Sequence, residues 1–329
     1  MTSLIGHDAQ VSSFIEAMRG GKLHHAWLLT GPQGIGKARF ADMAALRLLA
    51  ESAGPHPHGP GLEVASDHPT ARLVEAGSHP DLRRLQRMPN ERTGDLARSI
   101  PISQVRALQG LFVTTPSQSP RRVVVIDAID DLERAAANAL LKNLEEPPAD
   151  TVFLLVSHAP GRLLPTIRSR CRVLRFSPLS APEMAAVLRA EANGADEDEI
   201  AALVKAGEGA PGRALGFTGL DIAGLDRAMA EIAETGDPAG AARATLAKAL
   251  SPKAAQPRYE AFLQRAPGHI AAHARTRNGQ ALADALALWE DTRALAASAT
   301  GLSMDPYSIV FEIGTLIAGL APKGATAKA

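Results

Sequence analysis

Apolar and polar positions along the chain follow two patterns. Ala26–Thr30 is a short apolar run that ends in a Gly-rich turn, and a helix-compatible stretch covers residues 37–50. Residues 123–126 and 152–156 are compact runs of mainly branched apolar side chains, the pattern of strands buried on both faces of a parallel sheet. Between them, residues 132–146 read as a helix closed by Pro147 and Pro148. Strands alternating with helices predict an α/β domain over residues 1–177. Within it, residues 51–80 are rich in Gly, Pro and His and lack periodicity, so they read as a surface loop or insertion.

The pattern changes at Ser177-Pro178. Ser180-Ala-Pro-Glu183 is a capping box with proline at a permitted first-turn position, opening a helix that Asn193-Gly194 ends. A second helix opens at Asp196 and stops near Gly207, and a third, short one follows Pro211. Together they predict a small helical module over residues 178–220. From residue 221 to 321 no strand-like run remains. Leu282, Leu286 and Trp289, at i, i+4 and i+7, mark one helix face, and Asp305-Pro306 starts another helix. This part reads as all-α, and residues 322–329 read as a disordered tail.

Composition narrows the function classes. The 329 residues are 46% hydrophobic and only 4% aromatic, which favours helices and a core of Ala, Leu, Val and Ile. At about 100–200 residues per domain the length fits two or three domains. The 35 Lys+Arg balance the 35 Asp+Glu, so the whole molecule is not built to capture nucleic acid or an anionic membrane by bulk charge. Cys171 is the only cysteine, which excludes intrachain disulfides and a Cys-rich zinc site. The N-terminal MTSLIGHDAQ has no signal-peptide pattern, and the late apolar stretch 309–321 is interrupted by Glu312. A soluble, cytoplasmic protein without a membrane span is expected.

The strongest local chemistry is Gly31-Pro-Gln-Gly34-Ile-Gly36-Lys37, a phosphate loop placed after a strand and before a helix. Its glycines let backbone N–H groups turn toward phosphate oxygens, and the helix N-terminus and Lys37 add positive charge. Asp127 ends the second apolar strand, where a Walker B carboxylate belongs. Two positions oppose catalysis. Ala38 stands where a Ser or Thr hydroxyl would help hold Mg²⁺. Ala128 stands where an ATPase would place a water-orienting carboxylate; losing general-base help costs about 10²–10⁴ in rate. Negligible ATP hydrolysis is expected. Asp130 and Asp131 lie close by, and their expected role is to cap the following helix.

Three further stretches carry a family likeness: Asn138-Ala-Leu-Leu-Lys-Asn-Leu-Glu-Glu-Pro-Pro148, Ile167-Arg168-Ser169-Arg170-Cys171 and Gly209-Ala-Pro-Gly-Arg213-Ala-Leu215. With the defective phosphate loop, they make residues 1–220 resemble bacterial clamp-loader subunits of the AAA+ class. The resemblance implies a P-loop AAA+ parallel-sheet domain, a helical lid and an all-α collar domain. It implies that Arg170 of the Ser169-Arg170-Cys171 motif reaches into the ATP site of the adjacent subunit. Arg213 matches the lid arginine that touches nucleotide, and Ser157-His158 occupies the sensor 1 region. For Arg170 the alternative is a solvated basic turn with Arg168 and Arg172; for Arg213 it is a helix-terminal surface position, and for His158 a strand-end surface residue. Leu140, Leu141 and Leu144 are expected in the core, and Cys171 is expected to be a small packing residue.

The resemblance further implies a non-motor subunit that helps load a sliding clamp onto primed DNA, alongside ATPase motor subunits and a clamp-opening subunit. The alternative is a catalytically active loader ATPase, favoured by Lys37, Asp127 and the intact glycines. ATP or ADP binding without hydrolysis lies between the two, with Gly31, Gly34, Gly36, Lys37, Asp127 and Arg213 as the degenerate nucleotide site. Many related subunits carry a four-cysteine zinc module after the first helix. Residues 51–79 have no cysteine here, and His56, His58, His68 and His79 have no fixed ligand geometry, so no zinc is expected.

Overall fold

The computed structural model describes residues 4–53, 59–90, 94–113, 115–302 and 304–322. The expected disordered tail after residue 322, and His56 and His58, lie outside them. The chain forms two compact units, Met1–Val187 with Glu208–Arg213, and Leu188–Gly207 with Ala214–Ala329.

The first unit runs α1 (Asp8–Arg19), β1 (Ala26–Thr30), α2 (Lys37–Ser52), α3 (Pro69–Glu75), β2 (Leu82–Gln86), α4 (Ile102–Val113), β3 (Arg122–Asp127), α5 (Arg134–Glu145), β4 (Thr151–Ser157), α6 (Pro165–Arg168), β5 (Arg172–Arg175) and α7 (Ala181–Glu191), which continues into the second unit. The strands form one parallel sheet ordered β2-β3-β4-β1-β5. Alternation along the strands divides the core in two. Trp27, Leu29, Val123, Val125, Leu154 and Val156 meet Phe14 of α1 and Phe40 of α2 on one face. Leu28, Val124, Ile126, Phe153 and Leu155 meet Val105 and Leu108 of α4 and Leu140 and Leu144 of α5 on the other. Each such large apolar side chain contributes about 1.5–3 kcal/mol on burial. The unbroken apolar runs occupy the three inner strands because both of their faces are covered.

The described part of segment 51–80, residues 51–53 and 59–80, holds regular structure that its composition does not predict. It contains α3, whose start is capped by His68 Nδ1 accepting from the Thr70 N–H, with Pro69 in the first turn. The fully buried Arg47 donates to the carbonyls of Gly59 and Glu63 and pairs with Glu51. Elements β2 and α4 also go unannounced by the apolar runs. In β2 only Leu85 is buried, as befits an edge strand.

The second unit contains α8 (Glu197–Gly207), the end of α9 (Pro211–Leu215), α10 (Ile222–Thr235), α11 (Ala241–Leu250), α12 (Gln256–Ala274), α13 (Gly279–Leu302) and α14 (Pro306–Ala318). Helix α12 packs on α13, and α11 and α10 pack on α14. Phe262, Ile270, Leu225, Met229, Ile313 and Ile317 are buried. Of the stripe Leu282, Leu286, Trp289 on α13, Leu282 and Trp289 are half-buried beside the buried line of the helix. Ala285, Thr292, Ala296 and Ala299 are buried, whereas Leu286 is 46% exposed. Among the described residues no helix is long and apolar enough to cross a membrane.

Candidate functional site

The carboxyl end of β1 feeds residues 31–36 into the start of α2. Gly31, Gly34 and Gly36 all have positive φ, and a Cβ at Gly31 would run into the Phe176 carbonyl, so only glycine fits there. The Gly34 carbonyl accepts from the Gly212 N–H at 2.8 Å, which sets the start of α9 directly on the loop. His7, just before α1, holds the loop from the other side: its Nε2 donates to the Ile35 carbonyl at 2.7 Å, and its ring meets Phe176 edge-on.

Lys37 is 2% exposed, and its Nζ donates to the carbonyls of Gly31 at 2.6 Å and Pro32 at 2.5 Å. Burial pushes the ammonium down to about 8, against the pull of the Asp130 and Asp127 charges. The following side chain is the methyl of Ala38. Asp127 ends β3 as expected, and the buried Ala128 follows it.

The acidic residues around the loop have settled partners. Arg84 of β2 pairs with Asp42 of α2, and its Nη1 lies 3.8 Å from an Asp127 oxygen. Asp130 does not cap α5: it accepts from the Ser157 hydroxyl at 2.9 Å and from the N–H groups of His158 and Ala159. Asp131 pairs with Arg87 at 3.0 Å. The N-cap position of α5 is Glu133, which makes no side-chain cap. Both aspartates precede the helix by too many residues, because a 3₁₀ turn at Ile129–Asp131 intervenes. His158 is half-buried with its Nδ1 unpartnered; burial and the nearby Lys37 charge push it below the usual imidazole range. Arg213 lies at the loop through its backbone, while its guanidinium pairs with Glu208 at 2.8 Å.

Arg170 sits apart from these groups, on the turn between α6 and β5. It is 34% exposed, donates to the Thr166 carbonyl at 2.9 Å and pairs with Glu145 at the end of α5 at 2.8 Å. Its neighbours differ from one another: Arg168 is exposed, and Arg172 lies over the Trp27 ring at 4.7 Å. The Cys171 thiol donates to the Ile167 carbonyl at 3.1 Å, and burial pushes it up to about 12, so it packs and does not attack. Leu140 and Leu144 are fully buried, with Leu141 packed against the same cluster. His79 caps the turn at Asp81 through Nδ1.

Arg84 and Arg87 escaped the reading of the sequence because β2 carries no motif. The one available signal was Leu85 between polar residues, which marks an edge strand.

A five-stranded parallel sheet with this strand order, a phosphate loop after β1 and an aspartate at the end of β3 defines the P-loop fold of the AAA+ class. The family model described as DNA polymerase III, delta subunit, matches residues 6–180, and the chain belongs to that family. It is similar to the DNA polymerase III subunit delta' of Pseudomonas aeruginosa, with 43% identity over 46% of this chain and 43% of that protein. It is 36% identical to the subunit delta' of Bacillus subtilis over 48% of this chain and 44% of that one. It is also 29% identical to the subunit gamma of Buchnera aphidicola, over 60% of this chain and 51% of that protein. The chain thus spans about half the length of the curated relatives it matches.

Proposed function

We propose that this chain is a non-motor subunit of the bacterial DNA polymerase III clamp loader. It assists ATP-dependent loading of the sliding clamp onto primer-template DNA, with gamma/tau motor and delta subunits as its partners in the assembly, in the cytoplasm at the replisome. Its own nucleotide site is degenerate and holds ATP or ADP, if either, without turnover. The observation that carries the reading is an asymmetry. The loop lysine is bonded to its own backbone and followed by the methyl of Ala38, with Ala128 next to Asp127, whereas Arg170 is 34% exposed and held by the exposed Glu145 and the Thr166 carbonyl. A guanidinium placed on a neighbour's γ-phosphate stabilises the charge of the transition state in trans. The half-exposed apolar stripe of α13 suits the collar contacts that would hold such a ring together.

The test is clamp- and DNA-stimulated ATP turnover by a reconstituted loader containing either this chain or its Arg170→Ala form, with equal assembly checked by gel filtration. Turnover at the neighbouring site is expected to fall at least tenfold, since an arginine finger is worth about 10³–10⁵ in rate where it has been isolated. The variant should melt where the wild type does, because an exposed ion pair is worth about 0–1 kcal/mol. Unchanged turnover in intact rings would return Arg170 to a structural role.

A further inference from the structure

Beside a P-loop lysine, a divalent cation takes its protein ligands from the hydroxyl after the lysine and from the carboxylate ending the Walker B strand. The residues of this chain do not fit that group. Ala38 offers a methyl. Asp127 faces Arg84, and Asp42 is paired with the same guanidinium. Both oxygens of Asp130 are taken up by the end of β4, and Asp131 is held by Arg87. Among the described residues no group of three or more His, Cys, Asp or Glu is placed to hold a metal ion.

We infer that Arg84 stands in for the divalent cation as the countercharge of Asp127, so that the phosphate loop of this chain works without a metal. The inference deepens the degenerate-site reading and rests on it. Register explains how the side chain gets there. Arg84 lies opposite Val125 and Gln86 opposite Asp127 in the parallel β2–β3 pair, so Arg84 and Gln86 share a face and Arg84 reaches Asp127 on the diagonal. A guanidinium is permanently charged and carries five donors in a fixed fork, which lets one side chain serve Asp42 on the P-loop helix and Asp127 on the strand together. A metal would have to displace a charge that is tethered to the sheet and cannot diffuse away. The consequence is specific: Mg²⁺ gains nothing at this site, whether or not ADP is present.

Thermal melting of the full chain in EDTA and in millimolar Mg²⁺, each with and without ADP, tests this. The wild type is expected to melt at the same temperature in all pairs that differ only in Mg²⁺. Arg84→Gln leaves Asp42 and Asp127 without their shared countercharge; it should melt a few degrees lower in EDTA and regain part of the loss in Mg²⁺. The Arg84→Gln/Asp127→Asn double variant should lose that Mg²⁺ response, and Arg84→Lys should never acquire it. Stabilisation of the wild type by Mg²⁺, or an Arg84→Gln form indifferent to Mg²⁺, would overturn the inference. Should Arg84→Gln not fold, Asp127→Asn carries the test: equal Mg²⁺ responses of it and the wild type are expected, and a response present only in the wild type overturns the proposal. Entry into the loader ring is scored separately, so a chain that melts as expected but does not assemble would count against the subunit reading alone.

Discussion

Lys37 shows how a single side chain carries the state of the site. Its ammonium is out of water, satisfied by two loop carbonyls, and held at about 8 where an ordinary lysine titrates near 10.5. A phosphate would give that buried charge a partner of opposite sign, so an anion that binds must bind the protonated form. Below pH 8 the lysine is charged and anion affinity is at its full value; above pH 8 the charge is lost while free lysine would still hold it. ADP affinity, measured by isothermal titration at rising pH, should therefore weaken about tenfold between pH 7 and pH 9. A flat profile with measurable binding would mean that the loop N–H groups alone hold the ligand.

At the level of elements, the ends of strands and helices are fixed by a few polar side chains. Asp81, just before β2, accepts from the N–H groups of Ser117, Gln118 and Ser119, and so pins the turn that delivers β3 to the sheet. Asp81→Ala strands three donors, one of them on the buried Ser119, and should cost about 3 kcal/mol in urea unfolding. Asp81→Asn, which keeps one acceptor oxygen, should cost less; equal stability of all three forms would show that water replaces the carboxylate. The inner strands, the phosphate loop and the Ser180–Glu183 capping box were legible in the sequence because each is a local pattern. Half of the box is realised: Glu183 accepts from both the N–H and the hydroxyl of Ser180, so the hydroxyl is turned to the carboxylate and not to the Glu183 N–H. Helix α3 was hidden by the Gly/Pro/His composition around it. The roles of Arg84 and Asp130 could not be read at all, since they depend on which strand lies beside which. The face marked by Leu282 and Trp289 is half-buried on α13, and the fully buried positions beside it are small residues, Ala285, Thr292 and Ala296, which an apolar stripe does not single out.

For the whole molecule, one contribution to the acid limb of stability lies in the helical unit, beside those of His25, His79 and His158, which burial also pushes down. His269 on α12 is pushed down to about 4 by burial, then by His273; Lys205 of α8 and Arg265 add to the shift, and Asp226 of α10 opposes it. Its Nε2 has no hydrogen-bond partner, so it is accommodated only as the neutral ring. The unfolded chain takes up this proton near pH 6.5 and the folded chain only near 4. The stabilisation is therefore complete above pH 6.5 and lost as pH falls toward 4, by about 2 kcal/mol after allowance for partial solvent access. Melting of the full chain between pH 7 and pH 4.5 should show this slope, and His269→Leu should make it shallower; parallel slopes would place the acid-labile groups elsewhere. The proposed role in an assembly depends in turn on the pair that joins the turn after α6 to the end of α5. An exposed pair of mid-range strength leaves its guanidinium detached roughly a third of the time, and such side chains reorient within picoseconds to nanoseconds. Glu145 thus narrows the search volume of Arg170 without imprisoning it, and an incoming subunit would select a conformer already present instead of having to break a lock.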